Sequence, residues 1–116
     1  MTNYNPGDIV LAPFPFSDLK TKKLRPVLVL ANIVFDKKRR LYPVAMVTSQ
    51  IDSGFIEGDT LLEDWEKSGL LYPSKVRLGK LVTIEHEIIV KKIGTLSSND
   101  SINISRSLKK IFQSWL

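Results

Sequence analysis

The chain has no cysteine and a single histidine, His86. The first absence excludes a disulfide framework and any thiolate metal site, and it suits a reducing compartment. Together the two leave too few nitrogen and sulfur ligands for a zinc centre. Long apolar runs are missing as well. The longest, residues 26–35, is interrupted by Asn32 and falls short of the roughly 18–20 residues that a membrane helix needs. The first six residues lack a basic start followed by an apolar stretch, so no secretory leader is expected. The six glycines include no GxxxxGK loop, which argues against a P-loop nucleotide hydrolase. No spaced set of carboxylates suggests a two-metal nuclease either. The expectation is a cytoplasmic protein with no membrane contact, no metal and no cofactor.

What is present is the composition of an ordinary globular protein: 116 residues, 43% hydrophobic and 25% charged. That length suits a single domain spanning residues 1–116, large enough to build one modest core without staples. The net charge of +5 conceals an asymmetry. Residues 41–66 hold six acids and no Lys or Arg, so the rest of the chain carries +11. Its cations cluster at Lys20, Lys22, Lys23 and Arg25, at residues 37–40, around Lys75, Arg77 and Lys80, at Lys91 and Lys92, and at Arg106, Lys109 and Lys110. Clusters of this kind fit a polyanionic partner, and they also fit solvated turns and helix faces.

Short β-type runs separated by turn signals fill the first three-quarters of the chain. Asn5-Pro6-Gly7-Asp8 launches a strand at residues 9–12, and Pro13 and Pro15 make its continuation irregular or edge-like. Pro26 is expected to begin the next strand rather than sit within it, which puts Arg25 at the mouth of residues 27–30. That run is apolar on both faces, as a buried central strand should be. It should pair as an antiparallel hairpin with residues 41–47 across the basic turn at 36–40. Further strands are expected near residues 59–62, 75–84 and 88–93. The period then changes. Ile104, Leu108, Ile111, Phe112 and Trp115 form one face of an amphipathic helix, capped by Ser98 or Asp100, with Trp115 in the core stripe. The fold class is mainly β with α, a small twisted barrel closed by a C-terminal helix.

Four segments in order, Pro6-Gly7-Asp8-Ile9-Val10, Pro13-Phe14-Pro15-Phe16-Ser17-Asp18, Leu24-Arg25-Pro26-Val27-Leu28-Val29 and Val47-Thr48-Ser49, resemble the MazF/PemK family of toxin endoribonucleases. The likeness continues through Gly69-Leu70-Leu71, Pro73-Ser74-Lys75-Val76-Arg77, Leu81-Val82-Thr83-Ile84-Glu85 and Ile93-Gly94-Thr95-Leu96-Ser97, and so covers nearly the whole chain. It implies an SH3-like barrel, a homodimer and a cognate antitoxin. It also implies sequence-specific, metal-independent cleavage of single-stranded RNA such as mRNA. The 2′-hydroxyl would attack the phosphate, leaving 2′,3′-cyclic phosphate and 5′-hydroxyl ends. The alternative is a non-catalytic module on the same fold, or one directed at gyrase like the toxin CcdB, because a fold does not fix a function.

Such a reaction needs orientation, proton transfer and stabilisation of charge on phosphorus. Arg25 suits the last task, since its planar fork can hold two phosphate oxygens. Thr48 and Ser49 can donate hydroxyl hydrogen bonds to the same phosphate, their convergence with Arg25 being implied by the resemblance. Lys20, Lys22, Lys23, Phe16, Gln50 and Arg77 are the candidate RNA contacts. Phe14 and Phe16 can stack on bases, although packing on the barrel is the safer reading. Arg77 matches a family position that acts with an acid two residues later, and here that position is Gly79, which removes the carboxylate. Asp18 reads as a turn cap and His86 as a structural or surface histidine, so the proton acceptor is left open.

Overall fold

The computed structural model describes residues 3–15 and 22–116, the side chains of Pro15 and Lys22 excepted. Seven antiparallel strands make up one sheet: β1 (Asp8–Pro15), β2 (Lys22–Val29), β3 (Ile33–Asp36), β4 (Arg39–Thr48), β5 (Asp59–Leu61), β6 (Lys75–Glu85) and β7 (Lys91–Thr95). They run across the sheet as β5-β6-β4-β2-β1-β7, with β3 paired to β4. One helix, α1 (Ser98–Ile111), follows. The mainly-β architecture with a closing C-terminal helix is as expected.

Alternation along the strands sorts the apolar side chains to two faces. Ile9, Leu28, Ala45, Val47, Val76 and Leu78 form one cluster, against which Ile104, Leu108 and Ile111 of α1 pack. Val10, Val27, Val29, Tyr42, Val44 and Met46 belong to a second cluster on the opposite face. β6 serves both clusters because its phase changes. Its register on β4 passes from Met46↔Arg77 to Ala45↔Leu81, so residues 78–80 form a bulge. An odd number of extra residues turns the later side chains over. Val76 and Leu78 therefore join the first cluster, and Ile84 the second.

The prolines are placed by the missing N–H. β7 pairs with β1 only from Asp8 to Leu11, so Pro13 and Pro15 lie where that edge of β1 has no β7 partner. Pro26 departs from the expected position, for β2 runs from Lys22 and Pro26 sits within it, opposite Leu11. The β2–β4 ladder covers only Val27–Val29, so a proline at 26 breaks none of its bonds.

β2 and β4 are antiparallel neighbours, but the turn at 37–38 closes a β3–β4 hairpin that lies between them. The strand expected at 88–93 starts later. A single 3-10 turn occupies His86–Ile88, and β7 begins at Lys91. The cap of α1 is Ser97 rather than Ser98 or Asp100: its hydroxyl oxygen accepts the Asp100 N–H at 3.1 Å. The Asp100 carboxylate is buried and accepts the Glu63 and Asp64 N–H groups at 2.8 and 2.9 Å, which ties the helix start to the 62–66 segment. Trp115 is not in the core. The helix ends at Ile111, and Trp115 lies in a terminal 3-10 turn at 88% exposure, because the 3.6-residue period does not continue past the helix end. Among the described residues no helix is long and apolar enough to cross a membrane.

Candidate functional site

β2 and β4 pair as Val27↔Met46, Leu28↔Ala45 and Val29↔Val44. Continued by two residues, that register sets Arg25 opposite Thr48, and Thr48 in turn pairs with Lys75 of β6. Directly opposed residues share a face of the sheet. Arg25 and Thr48 are thus brought together by the β2–β4 register, although they stand 23 positions apart in the chain.

A cleft of about 440 Å3 opens beside this pair. Arg25 and Thr48 line it from the sheet, Ser49 from just past the end of β4, Tyr72 and Ser74 from the 69–74 segment, and Lys91 from β7. Two glycines make the enclosing wall possible. Gly69 has φ +83°, and a Cβ there would fall on the Ile93 carbonyl, while a Cβ on Gly94 would fall on the Ser68 carbonyl. The chain at 68–69 therefore lies directly on β7.

Thr48 is buried and its hydroxyl oxygen accepts the Gln50 N–H at 3.1 Å. That bond fixes the oxygen and directs the hydroxyl hydrogen to another acceptor. Ser49 is exposed and Arg25 half-buried. Among the described residues, no carboxylate and no histidine lines the cleft. A guanidinium, an ammonium and the hydroxyls of Thr48 and Ser49 without an acid suit a phosphate-like anion. The set stabilises negative charge and does not supply a carboxylate or imidazole base.

The other candidates lie apart from this cleft or outside the described residues. Phe16, Asp18 and Lys20 lie outside them, as does the side chain of Lys22. Lys23 is exposed on β2 opposite Phe14, which is itself buried in the second apolar cluster and so packs rather than stacks. Gln50 is exposed and its carbonyl accepts the Ser53 hydroxyl at 2.7 Å. His86 is structural, with Nδ1 3.1 Å from the buried Tyr42 hydroxyl and its ring against Tyr4.

Arg77 does have a carboxylate, but it comes from the neighbouring strand β5 rather than from two residues along β6. Asp59 of β5 pairs with it in register, and Arg77 Nε and Nη2 both reach Asp59 at 3.1 Å. Lys75 Nζ contacts the same carboxylate at 3.1 Å and donates to the Ile51 and Gly54 carbonyls at 3.2 and 2.7 Å. Arg77 Nη2 also donates to Gly54 O, at 2.6 Å. Burial pushes the Asp59 carboxyl up, but hydrogen bonds from Arg77, the Ile56 N–H and Lys75, with the charge of Arg77, outweigh it and hold the group below its ordinary value of 3.8. The outcome is a caged ion cluster that pins the 51–58 segment directly after Thr48–Gln50. Gly79 belongs to the same arrangement: a Cβ there would press on Ile56 Cδ1 at 3.1 Å, so a side chain at 79 would crowd the pinned segment.

Tyr72 and Lys91 are site-lining residues that sequence reasoning passed over. Tyr72 adjoins the quoted Gly69-Leu70-Leu71 and Pro73-Ser74-Lys75 segments, and that adjacency was the available signal. Lys91 was marked only as half of the Lys91-Lys92 cationic pair, and its place at the cleft follows from the pairing of β7 with β1.

A family model described as the PemK-like, MazF-like toxin of type II toxin-antitoxin systems matches residues 5–112. No curated protein matches the chain. Similar solved structures include the Mycobacterium tuberculosis toxin MazF-mt6, at 22% identity over 91% of this chain and 96% of that one, with TM-score 0.70. An endoribonuclease in complex with its cognate antitoxin, from a mycobacterial species, is 12% identical over 96% of both chains, with TM-score 0.71. MazF from Deinococcus radiodurans is 15% identical over 97% of this chain and 99% of that one, with TM-score 0.68. At these identities the structural likeness is one of fold, and the family follows from the match over residues 5–112: the chain belongs to the PemK-like, MazF-like toxins of type II toxin-antitoxin systems.

Proposed function

We propose that this toxin is a cytoplasmic, metal-independent endoribonuclease that cleaves single-stranded RNA at preferred sequences. The observation that carries the reading is the meeting of Arg25, Thr48 and Ser49 on one cleft with no acid among its described lining residues. Arg25 holds two oxygens of the scissile phosphate and stabilises the charge that builds as the 2′-oxygen attacks phosphorus. Thr48 and Ser49 donate hydroxyl hydrogen bonds to the same group. Lys23, Lys91 and Gln50 extend the contact along the RNA strand, joined by Lys20, Lys22 and Phe16. Arg77 acts indirectly, through the Asp59 cage. A homodimer and a cognate antitoxin complete the reading. The antitoxin is supported by the family and by the mycobacterial neighbour, and the dimer by exposed apolar residues such as Val34 and Phe35 on β3.

Purified protein incubated with single-stranded RNA in EDTA is expected to cut it and leave 5′-hydroxyl ends, which a polynucleotide kinase labels without prior phosphatase treatment. The matching 3′ ends should be cyclic phosphates. Loss of cleavage in EDTA, or 5′-phosphate ends, overturns the reading. No cleavage under any condition favours the non-catalytic or gyrase-directed module. RNA affinity should also fall with salt. Five cationic contacts, Arg25, Lys20, Lys22, Lys23 and Lys91, predict a slope of about −3.5 in log K against log salt for a single strand. A flat dependence, read by fluorescence anisotropy, would remove these contacts from the account.

A further inference from the structure

Tyr72 is large, aromatic and 64% exposed, and it belongs to neither apolar cluster. Among the described residues it is the one aromatic side chain that lines the cleft. Its backbone is anchored on both sides. Upstream, Gly69 and Gly94 press the chain onto β7. Downstream, the Ser74 hydroxyl donates to the Tyr72 carbonyl at 2.8 Å, and the Leu62 N–H donates to the Ser74 carbonyl at 3.0 Å. Pro73 between them restricts the backbone further. Anchoring the backbone beneath an exposed aromatic ring serves no packing purpose, but it lowers the entropy cost of presenting that ring to a flat partner. The site beside it is built for a phosphate, and what flanks a phosphate in a single-stranded nucleic acid is a base.

We infer that Tyr72 is a specificity-determining residue of this toxin: its ring stacks on the base adjoining the phosphate held by Arg25 and Thr48, while Lys91 of β7, which lines the same cleft, takes a neighbouring phosphate. The inference rests on the ribonuclease reading and gives that site a base-binding platform. Stacking on an aromatic face is the common way to hold an unpaired base, and alanine in its place costs about 5- to 100-fold in affinity. The ring contributes to substrate binding and alignment, so the loss should appear mainly in KM.

The test pairs a protein change with a substrate change. Short RNAs with one cleavage site are made with a single abasic nucleotide at each position around the cut, and kcat/KM is measured for the wild type, Tyr72→Ala and Tyr72→Phe. At one position, next to the scissile phosphate, the abasic substitution should slow the wild type by about 5- to 100-fold and slow Tyr72→Ala no further. Tyr72→Phe, which keeps the ring, should recover what Tyr72→Ala loses. Losses that simply multiply at every position overturn the inference, as does a Tyr72→Ala enzyme with wild-type rates and cut sites. Wild-type cleavage by Tyr72→Ala combined with failure to bind a protein partner would assign the ring to that partner and also overturn it. A wild-type protein that cleaves no RNA sinks the ribonuclease reading itself, a result distinguishable from all of these. Since the side chain is largely exposed, unchanged thermal melting of Tyr72→Ala serves as the folding control.

Discussion

Arg25→Ala should lower the single-turnover rate of RNA cleavage by about 10²- to 10³-fold, the usual effect of removing one donor aimed at charge developing in a transition state. The reason lies in the inventory of the cleft. Its described lining offers hydroxyls from Thr48 and Ser49, but only Arg25 and Lys91 bring charge, and Arg25 is the one set opposite Thr48 by the continued β2–β4 register. A lysine at 25 keeps the charge and loses the fork, so Arg25→Lys should also be strongly impaired. Binding should suffer less than rate, because the rest of the RNA still meets the cationic rim. Arg25 belongs to neither apolar cluster, so the melting temperature should move little. The comparison is between rate and RNA affinity for wild type and both variants. Full activity in Arg25→Ala would refute its role, and an equal fall in rate and affinity would reduce it to a simple binding contact.

Local periodicity made much of this fold legible. Two-residue alternation and bounded apolar runs marked β1, β4 and β6, and the spacing of Ile104, Leu108 and Ile111 marked α1. The same reasoning failed where the pattern and the element part company. The stripe ran on to Trp115, but nothing in a 3.6-residue period tells where a helix stops. β3 is exposed at all four residues, so burial imposed no alternation there to read. The bulge at 78–80 turned β6 over at Gly79-Lys80, where the alternation lapses, but the change of face appears only against β4.

The site follows the same division. Arg25, Thr48 and Ser49 stood out because side-chain chemistry and family motifs both selected them, although their adjacency depends on a register that motifs do not state. The partner of Arg77 was sought two residues along the same strand, at Gly79. It comes instead from Asp59, 18 positions earlier and directly opposite Arg77 across the β5–β6 ladder. Tyr72 and Lys91 meet at the cleft from a loop and a strand that share no local pattern.

The Asp59 cage yields the largest stability effect. Its carboxylate is 2% exposed, with Lys75 at 4% and Arg77 at 12%. Asp59→Ala removes the anion and leaves two nearly buried cations facing each other, and breaking a buried pair in this way costs about 3–5 kcal/mol. For a domain of this size that corresponds to a fall of about 10–20 °C in Tm. Asp59→Asn keeps the shape and removes the charge, so it isolates the electrostatic part and reveals it through pH. The folded-state pKa of Asp59 lies below its ordinary value of 3.8. The carboxylate's contribution is therefore complete above the unfolded-state pKa and disappears as pH falls through the folded one. Urea unfolding of wild type and Asp59→Asn should show a full stability gap at pH 7, still full at pH 5, that closes progressively below about pH 4. Because the other acids titrate in both proteins, the difference between them reports Asp59 alone. A gap that stays constant down to pH 3, or one absent at pH 7, would contradict the cage. Since Lys75 and Arg77 hold the carbonyls of the segment that follows Thr48–Gln50, the same variant should cleave RNA more slowly at temperatures where it is fully folded. Loss of stability with no loss of rate would confine the cage to the fold and uncouple it from the cleft.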